Sequence, residues 1–95
     1  MSFSTKDPSE SIVVTFDFSA LVSSISTATV TNAADEGNDA APASMLSGAP
    51  LVTGTKVSQR LVGGVAGCTY HLRCTVTDDG GNTYVLANTL PVSLF

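Results

Sequence analysis

Few side chains in this sequence have chemical reach: two cysteines, Cys68 and Cys74, the single histidine, His71, and two groups of carboxylates, Asp35, Glu36 and Asp39 in one and Asp78 and Asp79 in the other. Two cysteines could close a disulfide or share a metal, and a thiol beside an imidazole could be a nucleophile. Each of these has a spacing to satisfy. In GCTYHLRCTV the residues alternate, so Cys68, Tyr70, Leu72, Cys74 and Val76 share one face of a strand, and Thr69, His71, Arg73 and Thr75 share the other. The cysteines are six residues apart, which in a strand puts their Cα atoms ~20 Å apart. A disulfide spans only ~4.4–6.8 Å. The spacing is also not that of a zinc knuckle or a redox C-x-x-C. The reading is therefore two buried free thiols, with an intermolecular bridge as the alternative. His71 faces away from both, so no triad forms, and no catalytic residue is assigned.

The carboxylates fare no better. Their spacing matches no standard calcium loop, and Asp or Asn ahead of Gly is equally well explained by turn chemistry. A glycosidase pair needs one acid in an apolar pocket, whereas these sit in polar segments. Gly63, Gly64 and Gly67 spell G-G-x-x-G but precede a strand rather than a helix, so a turn of positive φ explains them better than a nucleotide fingerprint. No cofactor and no metal is expected.

Composition narrows the class further. Ninety-five residues, 43% hydrophobic and 13% charged, suit a folded domain with one core. The apolar runs are far shorter than the ~20 residues a bilayer demands. MSFSTKDPSES lacks the apolar core of a secretory signal, so retention in a cytoplasm is expected. The net charge is −4, and the four cations, Lys6, Lys56, Arg60 and Arg73, are scattered. Neither a nucleic-acid stripe nor a cationic membrane-binding helix can be assembled from them.

The elements that must position these residues are strands. ESIVVTFDF (10–18) alternates with Ile12, Val14, Phe16 and Phe18 on one face, and ISTATVT (25–31) is rich in β-formers. NAADEGNDAAPAS (32–44) loses alternation and reads as a long exposed loop. MLSGAPLV (45–52) suits an edge strand or a bulged crossing. TKVSQRLVGG (55–64) places Val57, Gln59 and Leu61 together, and residues 68–90 form a hairpin around the turn DDGGN. The sum predicts an all-β fold: a single immunoglobulin-like or fibronectin-type antiparallel β-sandwich of six to seven strands over residues 1–95, with an N-terminal arm (1–9) and the loop 32–44. AGCTYHLRCTV resembles the penultimate strand of such domains, where a tyrosine folds its hydroxyl back onto a loop. Tyr70 would fill that corner, although its spacing to Cys74 differs from the antibody pattern.

Two segments also resemble a family of tailed-phage virion proteins, the fiber-tail adaptors. One is FSTKDPSESIVVTFDFSALV, with Lys6-Asp7-Pro8, Glu10, Asp17 and Ser19; the other is VSQRLVGGVAGCTYHLRCTVTDDGG. Phe18 stands where many members would carry Trp, an exchange that keeps core bulk. The resemblance implies a structural virion protein that docks fibers or other components onto the tail or neck. It further implies several copies per particle, other virion proteins as partners and assembly in the host cytoplasm; the scattered cations already argue for no membrane or nucleic-acid partner. Alternatives are a capsid decoration protein or a carbohydrate- or ligand-binding sandwich. The docking candidates are Lys6, Asp7, Pro8 and Glu10, whose extended arm could lie along a neighbour's sheet edge or pack on its own domain, and Leu94 and Phe95 at the other end.

Overall fold

The structure is a computed structural model that describes all residues except 1, 2, 4, 38–41 and 95, and the side chains of all of these except Glu36 and Ala43. It contains six strands: β1 (Ile12–Asp17), β2 (Thr27–Glu36), β3 (Leu46–Thr53), β4 (Lys56–Leu61), β5 (Thr69–Thr77) and β6 (Thr83–Pro91). A short 3-10 helix, Pro42–Met45, precedes β3. They form two antiparallel three-stranded sheets, ordered β1-β4-β3 and β2-β5-β6. The all-β expectation therefore holds, at the lower of the two expected strand counts.

Side-chain parity explains why the two sheets pack together. Val14 and Phe16 from β1, with Val57 and Leu61 from β4, meet Tyr70, Leu72, Cys74 and Val76 from β5 and Leu90 from β6 in one buried cluster. The alternate residues on these strands face outward, as period-two geometry requires. Phe18 is completely buried just past β1. The inward polar residue Gln59, which the alternation places between Val57 and Leu61, is also buried. It is satisfied by a defect in the neighbouring strand: the β3–β4 register shifts between Ser47 and Leu51. Gln59 Nε2 donates to the carbonyls of Ser47 at 3.3 Å and Gly48 at 3.2 Å. β3 is thus the bulged edge strand that its Gly and Pro suggest.

One boundary needs correction. The segment 32–44 is not a loop throughout, because β2 continues to Glu36 and residues 42–45 form the 3-10 helix. Asn32, Ala33 and Ala34 are poor strand formers, but they face Leu72, His71 and Tyr70 across a continuous ladder with β5. Tertiary pairing here overrides intrinsic propensity.

Candidate docking surface

The N-terminal arm is the first place where the motif residues acquire geometry. Asp7 Oδ1 accepts from the Ser9 amide at 2.9 Å and the Ser9 hydroxyl at 2.6 Å. The Asp7 amide donates to Glu10 Oε1 at 2.7 Å, and the Glu10 amide donates back to the Asp7 carbonyl at 3.0 Å. Lys-Asp-Pro-x-Glu is therefore a reciprocal turn, built like a capping box, with Pro8 fixing φ inside it. Asp7 and Pro8 are partly exposed and Glu10 is exposed.

The turn presents Lys6 to the inside. Lys6 is completely buried, and its Nζ donates to the Gly63 carbonyl at 2.7 Å and the Asp7 carbonyl at 2.9 Å. Burial lowers the pKa of its ammonium from the ordinary value, against the opposing pull of Glu10 and Asp7. Its backbone forms a parallel bridge to Val92, with the Lys6 amide on the Pro91 carbonyl and the Ser93 amide on the Lys6 carbonyl. The Phe3 amide donates to the Thr89 carbonyl, and the Phe3 ring meets Phe16 edge-on at 5.6 Å. Of the two expectations for the arm, the structure shows it packed on its own domain, along the edge of β6. Lys6 itself is therefore buried within its own domain. The sequence left both places for the arm open, because the Gly63 carbonyl that holds Lys6 lies 57 residues away.

The residues with chemical reach take the places that parity assigned. Cys68 and Cys74 are buried and unbonded, and burial pushes the Cys74 thiol up to about 11. His71 lies on the outer face, 4.0 Å from Asp35. Asp78 is spent on its turn, accepting from the Gly80 and Asn82 amides at 2.9 Å, bonds that hold its pKa below the ordinary value. Asp39 lies outside the described residues. Among the described residues no group of three or more His, Cys, Asp or Glu side chains could hold a metal. Tyr70 makes the expected corner, its hydroxyl accepting from the Val65 amide at 2.9 Å. The three glycines of the preceding turn all have positive φ, as the turn reading requires.

What remains is surface. The Lys6–Val92 bridge brings Asp7 and Pro8 next to Ser93 and Leu94, so candidates from opposite ends of the sequence meet at one end of the sandwich. Leu94 is 73% exposed there, and Phe95 lies outside the described residues. A second apolar feature was missed by the sequence reading. On the outer face of the β1-β4-β3 sheet, Val13 and Leu51 flank Ser58 and Arg60 in a shallow groove of about 300 Å³. The signal was available: Val13 follows Ile12 and precedes Val14, so one member of that run must face out. A third groove, of about 340 Å³, opens at the side of the sandwich between β1 and β6, lined by Phe3, Phe16, Asp17, Leu86 and Asn88.

The fold is that of a small all-β protein of two three-stranded antiparallel sheets, with Asp78 engaged in a turn, Tyr70 in a corner and Gln59 at a bulge. The family model described as Podophage GP4 fiber-tail adaptor protein gp77 matches residues 6–91, and the chain belongs to that family. It is a structural adaptor of the phage tail and a component of the virion. No curated protein and no solved structure matches it significantly.

Proposed function

We propose that this adaptor docks its fiber and tail neighbours through the end of the sandwich where the turn of Asp7, Pro8 and Glu10 lies beside the segment that leads to Leu94. Its role is purely structural, without catalysis, in several copies per particle assembled in the host cytoplasm. The observation that carries this reading is the parallel bridge from Lys6 to Val92, which gathers a carboxylate-bearing turn and a 73% exposed leucine at one place. Apolar anchors rimmed by polar groups are what protein interfaces concentrate.

A nucleic-acid role finds no support in the cations, since Lys6 is buried and Arg60 donates to the Ser11 hydroxyl at 2.9 Å. Glycan binding finds none in the aromatics, because Tyr70 is completely buried and Tyr84 half-buried. Low charge and the absence of a basic patch likewise speak against a membrane partner.

The test is Leu94→Asp, made in the phage and in the purified protein. The purified variant should melt like the parent, because an exposed side chain carries little stability. Particles should incorporate it poorly by quantitative mass spectrometry. Full incorporation with fibers in place would exclude this end of the molecule as the docking surface.

A further inference from the structure

We propose that the arm around Phe3 and Lys6 is exchangeable between copies, so that one copy's arm seats on the β6 edge of another. The seat is made wholly of groups remote in sequence from the arm: the carbonyls of Gly63, Thr89 and Pro91, the amide of Ser93 and the ring of Phe16. None of these contacts depends on the arm belonging to the same chain, so a second copy offers the same contacts. Exchange of identical contacts leaves only the connection and the loss of translational freedom to decide the balance.

The connection is built to open. Between the buried Lys6 and β1, four local bonds among Asp7, Ser9 and Glu10 shape the turn, the three side-chain ones in exposed surroundings, and Lys6 Nζ adds a part-buried bond to the Asp7 carbonyl that travels with the arm. The exposed ones exchange readily for water and cost little to break. Pro8 keeps Asp7 in the extended region in either arrangement. The seat offers more: an unseated arm forgoes the three backbone bonds along β6, the Lys6 Nζ bond to the Gly63 carbonyl and the Phe3 contact with the Phe16 ring at the same time. A released arm therefore goes to a seat, its own in dilute solution and a neighbour's where copies are crowded. In an assembly that holds copies side by side, the local concentration of neighbouring seats reaches the millimolar range, on the order of that for a short tether.

The experiment uses the purified full chain, so its outcome is separate from the adaptor reading. One population carries Thr5→Cys and another Ser93→Cys; both positions are exposed and flank the Lys6–Val92 bridge, roughly 7–8 Å apart on a strand pair. The native cysteines are buried and out of reach of a short bismaleimide. The populations are mixed, unfolded, refolded at high or low concentration, and cross-linked. Inter-chain product is expected after concentrated refolding. It should fall about tenfold on comparable dilution, as mass action on a second copy requires, and it should vanish when the arm also carries Lys6→Ala. A chain bearing both Thr5→Cys and Ser93→Cys should link within itself when refolded dilute. Absence of inter-chain product at every concentration, with or without that internal link, overturns the proposal, as does inter-chain product that survives Lys6→Ala.

Discussion

Tyr70→Phe should lower stability by about 1–2 kcal/mol, and the structure sets that magnitude. The ring itself is completely buried and would stay where it is, so no cavity forms. What is lost is the hydroxyl that accepts from the Val65 amide at 2.9 Å across five residues of glycine-rich turn. A net hydrogen bond is worth about 0.5–1.5 kcal/mol, and a buried donor left unpaired costs about 1–3 kcal/mol. Val65 is 43% exposed and the bond only part-buried, which places the cost in the lower half of that range. For a domain of this size the melting temperature should drop by roughly 5–15 °C. Guanidinium denaturation should show a lower midpoint with an unchanged slope, because the folded core is intact. Hydrogen exchange supplies the local readout: the Val65 amide should lose protection while amides in β2 keep theirs, relative to global stability. A variant within about 0.3 kcal/mol of the parent, or one in which Val65 protection is unchanged, would refute the corner as a stabilising contact.

Four further outcomes follow from backbone conformation and thiol burial. Gly37→Ala should cost about 3 kcal/mol or more, because φ is +89° and a Cβ there would sit 2.6 Å from Cys68 Sγ and 2.9 Å from its Cα. Gly63→Asn, at φ +63° with nothing within 4 Å, should cost under about 1 kcal/mol in the same thermal melts. Iodoacetamide at pH 8 should leave both cysteines unmodified until the protein is unfolded, since both thiols are buried. The raised Cys74 value also has a sign: the fold favours the neutral thiol, so this contribution is fully present below the ordinary value of 9.0 and is lost as pH climbs through about 11. Cys74→Ala should flatten that part of the pH–stability curve, and an unchanged curve would remove the thiol as its cause.

How legible the molecule was depended on whether a feature was local. Alternation alone placed Val57, Gln59 and Leu61, and the run from Cys68 to Val76, on the faces where they are found, because side-chain period in a strand is a property of the backbone. Tyr70 and the positive-φ glycines were legible for a similar reason: a turn of that kind requires those residue types. Apart from the outward Val13, which a local signal marks, the misses were set by partners distant in sequence. β2 reaches Glu36 only because β5 supplies a ladder, and Lys6 is buried only because Gly63 and Val92 are there to receive it. The docking residues show the same division. Leu94 and Val13 are exposed apolar residues that composition can flag, whereas their positions relative to Asp7 and Pro8 are products of the fold.

The parallel pairing of the arm with β6 also has a mechanical meaning. Phe3 and Lys6 follow 89–93 in the same direction, joined by transverse bonds from Phe3 to Thr89, Lys6 to Pro91 and Ser93 to Lys6. Tension that pulls residue 3 one way and residue 94 the other slides the two segments past each other, so all three bonds are loaded in shear at once instead of opening one after another. Lys6, with its Nζ locked on Gly63, acts as the pin that such sliding would have to withdraw.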